Sequence, residues 1–217
     1  SRYVASPRTC LDSVGEEHRG RGVAAVQGLE PIPAAVIHPC DSVSLAGAVE
    51  SAQAGMITPV LVGPETRIRT VAEEAGLDLS PYRIVDVAHS HAAAARAVAL
   101  VHEGETEVLM KGSLHTDELM SAVVKKETGL RTASRISHVF ILDVPTYPRP
   151  LFLTDAAINI YPNLEDKIHI VNNAVGLAHA LGIETPKVAI LSAVETINPK
   201  IPSTMEAASL CKMAERG

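Results

Sequence analysis

Tryptophan is absent from this 217-residue chain, which carries only two Phe and four Tyr. With so few aromatics there is no platform on which the unpaired bases of a single-stranded nucleic acid could stack. Positive charge is also scarce: 19 Lys and Arg stand against 25 Asp and Glu, a formal net charge of −6. Duplex nucleic acid or an anionic membrane surface would meet a repulsive overall field, so any anionic ligand must find a local basic pocket. The cysteines Cys10, Cys40 and Cys211 are far apart and form no CxxC pair, which argues against a disulfide framework or a zinc site and fits a reducing cytoplasm. No apolar run approaches the ~20 residues that span a bilayer, and the opening SRYVASPRTC is no signal peptide.

What the sequence does have is Ala, Val, Leu and Ile. Hydrophobic residues make up 47% of the chain and charged residues 20%, the balance of a buried α/β core. Residues 1–30, with Arg19, Gly20, Arg21 and Gly22, show neither a helical nor a strand period and read as a linker or N-terminal arm. From Pro33 onward short aliphatic runs alternate with Ala-rich amphipathic stretches, the signature of βαβ units around a mostly parallel sheet. Strands are expected over 34–38, 58–62, 83–87 and 107–110. The intervening helices run from a cap at Asp41 to Gly55, from the Gly63-Pro64 turn to Gly76, and over 92–101. A helix over 116–127 then precedes two strands, 137–144 and 151–154, joined by a Pro-rich turn. After it come a helix from Asn163 or Leu164 to near Gly182, a strand over 187–191, and a last helix over 203–215 with Thr204 placed to help cap it. This division gives a first α/β lobe over 31–145 and the start of a second over 146–217. The alternation calls for a further strand after the last helix, so the sheet is expected to be incomplete at the C-terminus.

Four segments carry residues suited to chemistry. In VLMKGSLHTDELM (108–120) an apolar strand ends in Lys111-Gly112-Ser113 and a helix begins near Thr116. Ligands of open α/β sheets bind at the carboxyl ends of strands, where a glycine admits close backbone approach and a lysine adds charge. The same residues also suit an ordinary strand-to-helix turn with a surface lysine. In GLRTASRISHVFIL (129–142), Arg131 and Arg135 precede a strand among hydroxyls; guanidinium forks grip phosphate oxygens, though a solvated loop would look alike. In LFLTDAAINIYPNL (151–164), Asp155 could act as a base, orient a donor or cap the next turn. In AILSAVETINPKIPSTMEAA (189–208), Asn198, Lys200, Ser203 and Thr204 gather at a helix start, suiting either an anion site or a plain cap. The nine histidines imply no metal: His89 and His91 would point to different helix faces, and no carboxylate completes a ligand set.

Taken together, LMKGSLHTDELM (109–120), LFLTDAAINIYPNLEDK (151–167) and ETINPKIPSTMEAASLCKM (195–213) resemble the phosphate acetyl/butyryl transferase family from about Ala34 to Gly217. The similarity is strongest to phosphate butyryltransferases and to the transferase module of enoyl-CoA hydratase/phosphate acetyltransferase fusions. It implies a two-lobed α/β/α sandwich of the isocitrate/isopropylmalate dehydrogenase-like type. The reaction implied is acyl-CoA plus inorganic phosphate giving acyl phosphate plus CoA, in a cytoplasmic homodimer with no cofactor beyond CoA and no nucleic acid or membrane partner. The family's catalytic Ser-Arg pair and following Asp are expected beyond Gly217, so the chain alone is expected to be inactive. Lys111, Gly112, Thr116, Arg135, Asp155, Asn198, Lys200, Ser203 and Thr204 are left as substrate-, phosphate- or CoA-binding candidates. Two alternatives stand beside this: a non-catalytic CoA-binding or assembly domain, and an NAD(P)-dependent decarboxylating dehydrogenase of similar fold, whose aspartate cluster is not found here.

Overall fold

A computed structural model describes residues 4–5, 28–142, 144, 146, 147 and 149–217. The chain divides into two compact units, Ser1–Arg131 and Thr132–Gly217. Of the expected arm, residues 1–3 and 6–27 lie outside the described residues.

The first unit is built on five parallel strands: β1 (Val4–Ala5), β2 (Ile32–Ile37), β3 (Ile57–Gly63), β4 (Arg83–Asp86) and β5 (Val108–Lys111), in the order β1-β5-β2-β3-β4. The central strand, IPAAVI, is an unbroken apolar run, as a strand covered on both faces must be. Ala34, Ala35, Val36 and Ile37 are all at 0% exposure. Val36 pairs with Leu61 on one side and Met110 on the other, placing the three on one face of the sheet. There they meet Leu45, Ala48 and Val49 of α1 (Ser42–Gln53) and Ile68 and Ala72 of α2 (Glu65–Ala75).

Ile37, in register with Val62 and Lys111, belongs to the opposite face. The helices α3 (Ser90–His102) and α4 (Thr116–Val123) pack together, and α3 packs against β2 and β3. Ala93, Ala94 and Ala97 of α3 are fully buried, so small side chains keep this helix close to the sheet.

The helix ends follow local chemistry. Asp41 Oδ1 accepts the Ser44 N–H at 2.8 Å and caps α1 as expected. Gly76, at φ 66°, closes α2 in the left-handed region. The helix expected to reach 127 instead stops at Val123. The chain folds back there, with the Leu130 N–H donating to Val123 O at 2.7 Å and the Gly129 N–H to Lys125 O at 3.1 Å. A Cβ at residue 129 would lie 2.4 Å from both carbonyl oxygens, so the reversal needs glycine.

The second unit holds an antiparallel pair, β6 (Val139–Leu142) and β7 (Leu151–Thr154), with α5 (Leu164–Ala180) and α6 (Pro202–Arg216). A reciprocal capping box of Asn163 and Asp166 starts α5. Two expectations need correction. Residues 187–191 form no strand among the described residues; their apolar run finds no ladder, and Leu191 is 79% exposed. Thr204 does not cap α6, whose N-cap, Ile201, has no side-chain cap bond. The Thr204 hydroxyl instead accepts the Asn198 N–H at 2.9 Å and faces Ile201 O at 2.8 Å, closing the preceding loop.

The Asp41 cap generates a stability prediction with a pH sign. Burial opposes charge on Asp41, but the Ser44 N–H and the Ser113 and Ser44 hydroxyls outweigh it and hold the carboxyl below its usual range. Asp41→Ala should lower stability by about 1 kcal/mol at neutral pH in urea titrations. Because the folded value is depressed, the difference from wild type should be full above the unfolded carboxylate pKa and vanish as pH falls through the folded one.

Candidate functional site

The order of the sheet fixes where a ligand site can form. From β2 the chain steps outward to β3 and β4, then returns to place β5 on the other side of β2. The carboxyl ends of β2 and β5 therefore flank a topological switch point, the place where open α/β sheets bind ligands.

Backbone pairing continues past the strand ends here. The Gly112 N–H donates to Ile37 O and the Ser113 N–H to His38 O, each at 2.9 Å. His38 adopts φ 54°, and its ring Nδ1 lies 2.7 Å from Ser113 O. A carbonyl oxygen only accepts, so this nitrogen carries the proton. A side chain at 112 would put its Cβ 2.5 Å from Ile37 O and 2.8 Å from His38 O, contacts that only glycine avoids.

Above these strand ends lies a cavity of about 410 Å³. Lys111, His38 and His115 bring positive or protonatable groups to its lining, Asp41 and Glu118 bring carboxylates, and Ser44, Ser90 and Ser113 bring hydroxyls. The Lys111 ammonium makes only a long 3.4 Å approach to Gly112 O, and none of the ion pairs among the described residues includes it. Its charge is available to an anion. The Glu118 carboxylate, in the same lining, lies 3.5 Å from His91 Nδ1.

Of the candidate residues, Lys111 and Gly112 line this cavity, whereas Thr116, exposed at the start of α4, is not part of the lining. His38, Ser44, Ser90 and His115 were not singled out. A single signal could have found His38: it ends an apolar strand beside the turn that opens α1.

In the second unit Arg135 and Asp155 join one polar network. Asp155 Oδ1 accepts the N–H groups of His138 at 3.0 Å, Ala157 at 3.3 Å and Ile158 at 3.2 Å, while Oδ2 takes the Asn159 N–H at 2.9 Å and the Asn159 side-chain amide. Burial works against its charge, but the Asn159 amide and these N–H groups prevail and keep the carboxyl below its usual range. Of the three readings open to Asp155, this geometry is that of a turn cap. Arg135 donates from Nε to Asn159 Oδ1 at 2.5 Å and pairs through Nη1 with Asp166 at 2.8 Å. Asn173 of α5 ties in Arg135 O at 2.8 Å and the Ser137 hydroxyl at 2.9 Å.

Asn198, Lys200, Ser203 and Thr204 gather around the start of α6. Asn198 Oδ1 accepts the Lys200 N–H at 3.0 Å, and the Ser203 hydroxyl lies 2.8 Å from that of Ser192. Among the described residues no group of three or more His, Cys, Asp or Glu could hold a metal ion, and no helix is long and apolar enough to cross a membrane.

The fold and the cavity define an open, mostly parallel α/β protein with a polar crevice at its strand ends, lined by Lys111, Asp41 and Glu118. Residues 90–217 match the phosphate acetyl/butaryl transferase family, and the chain belongs to that family. It is 62% identical over 197 residues to a phosphate acetyltransferase of Rhizobium meliloti, a match spanning 91% of this chain and 62% of that protein. It is 47% identical over 163 residues to a phosphate butyryltransferase of Clostridium acetobutylicum, spanning 75% of this chain and 54% of that protein. A branched-chain phosphotransacylase from Enterococcus faecalis V583 superposes with a TM-score of 0.65 at 26% identity, over 84% of this chain and 63% of the other. A phosphotransacetylase from Streptococcus pyogenes shares the fold at 17% identity, with a TM-score of 0.74 over 94% of this chain and 71% of the other. The chain therefore spans less than two thirds of the length of each of these two sequence relatives.

Two substitutions check the local geometry. Gly112→Ala should cost about 1–3 kcal/mol or more in a denaturant melt, because the backbone of Ile37 and His38 must give way. Asp155→Asn should be damaging and Asp155→Ala more so, since the amide oxygen can accept from one set of donors but not both, whereas alanine accepts from neither. Each orphaned N–H costs about 1–3 kcal/mol, read as the loss of native signal on urea titration.

Proposed function

We propose that the protein moves an acyl group between CoA and inorganic phosphate, acyl-CoA + phosphate = acyl phosphate + CoA. The observation that carries this reading is the Lys111 ammonium, which enters none of the ion pairs among the described residues, beside a glycine-tight turn at the switch point. Such a group attracts a phosphate oxygen. Membership of the family and the names of the relatives support the same chemistry.

In the forward direction a phosphate oxygen attacks the thioester carbonyl carbon. A C–O bond forms, the C–S bond breaks, and sulfur leaves as thiolate and takes up a proton. No electrons change hands. Holding two anionic reactants together against their repulsion is the main demand, which cations and proximity answer. Lys111 and Gly112 would receive phosphate or a CoA phosphate in the first unit. The remaining Arg135 donors, with Lys200 and Ser203 at the start of α6, would offer further anion contacts in the second.

The reading extends to a two-lobed sandwich of the isocitrate/isopropylmalate dehydrogenase-like type, acting in the cytoplasm as a homodimer with no cofactor beyond CoA. The parallel sheet and the likeness to phosphotransacylase folds support the α/β class within that extension.

The test is thiol release from acetyl-, propionyl- and butyryl-CoA by the protein that carries this chain, with and without phosphate. Release only with phosphate, accompanied by hydroxylamine-reactive acyl phosphate, is the expected result, and Lys111→Ala should raise the KM of an anionic substrate about tenfold. CoA binding without phosphate-dependent release would overturn the reading in favour of a binding domain.

A further inference from the structure

We propose that His38 is a positioning residue for the Lys111-Gly112-Ser113 turn, acting through its Nδ1–H on the Ser113 carbonyl; its consequence for turnover rests on the acyltransferase reading above. Three bonds join residues 37–38 to 112–113, and two of them are backbone bonds of the kind any pair of neighbouring strands makes. The third, from the His38 ring to Ser113 O at 2.7 Å, is the only one of the three that depends on a side chain. It spans 75 residues of sequence and ties the end of β2 directly to the turn that carries Lys111.

Its placement explains two otherwise separate features. His38 sits at φ 54°, a conformation costly for most residues with a Cβ, and it is 8% exposed although it lines the cavity. The left-handed backbone lets His38 O accept the Ser113 N–H and the Cys40 N–H while the ring of the same residue reaches Ser113 O. Ser113 is thereby held through both its N–H and its carbonyl. Leu114, whose N–H donates to Gly112 O at 3.0 Å, completes a turn with little freedom left. Lys111, whose ammonium makes one long hydrogen bond among the described residues, takes its direction from this fixed backbone. Fixing the approach of a binding group in this way matters to rate, since misplacement by about 1 Å can cost on the order of a hundredfold.

The test separates the two ring nitrogens. Asn tolerates a left-handed backbone and its side-chain amide can donate from about the place of Nδ1, whereas Gly accepts the backbone but supplies no donor. In the protein that carries this chain, His38→Gly should lower kcat about tenfold or more and displace the amide NMR signals of Gly112 and Ser113. His38→Asn should recover most of the lost rate and return those signals toward their wild-type positions. Loss of rate in His38→Asn equal to that in His38→Gly, with the amide signals restored, would overturn the proposal and assign the ring's other nitrogen to the substrate. Unmoved amide signals in His38→Gly would overturn it as well. The amide signals and the wild-type ring ¹⁵N shifts, with Nδ1 expected in its protonated form, are read without turnover. A wild-type protein with no phosphate-dependent CoA release would therefore defeat the acyltransferase reading while leaving the clamp judged on its own.

Discussion

The first unit depends on one close approach, the passage of Gly112 over the carbonyls of Ile37 and His38. Lys111, Ser113 and His38 take their places in the cavity from it. With a Cβ at 112 the two strand ends would have to separate, the bonds from Gly112 and Ser113 would lengthen, and Lys111 would leave a different backbone. The approach is possible because β2 and β5 are neighbours despite the intervening β3 and β4. That adjacency comes in turn from the way α3 carries the chain back across the sheet. A steric limit on one atom thus connects the order of the strands to the chemistry at their ends.

The second unit is held by a different kind of interaction. Its four strand and helix segments bury little: among the described residues, Ile170, Ala178, Thr204 and Leu210 are its most enclosed side chains. Polar contacts take over, with Asp155 gathering the N–H groups of the turn after β7 and Asn173 fastening α5 to residues 134–137. Such a network is strong only when complete, because a buried donor deprived of its partner loses more than the bond contributes. The arginine that a sequence reading offers to phosphate, Arg135, is partly committed to Asn159 and Asp166 within the same network. Its remaining donors are what a ligand could use.

How legible all this was in the sequence differs by element. The β2–α1–β3–α2 run was readable because its signals are local: an unbroken apolar strand, an Asp cap, a Gly stop. The helix from Thr116 was over-extended because its stop is the backbone of residues 129 and 130 folding onto Val123 and Lys125, a contact without periodicity. The expected strand at 187–191 had the right composition, but strand formation requires a partner, and composition cannot supply one. Lys111 and Gly112 were legible as a pair since a strand end, a glycine and a lysine stand in sequence. His38 was legible only as the end of an apolar strand; its role was not, because its partner lies 75 residues away and its φ leaves no mark on residue type.

The alanines of α3 have a mechanical consequence. This helix is a thin spacer laid directly on the central strands, and its first residue, Ser90, stands at the rim of the cavity. Enlarging Ala93 or Ala97 by even a few methyl groups would act as a wedge under one end of a rigid rod. The rod would pivot, and the rim would move with it, although neither alanine touches the cavity. A layer of methyl groups buried beneath α3 thus bears on where Ser90 comes to stand in the lining.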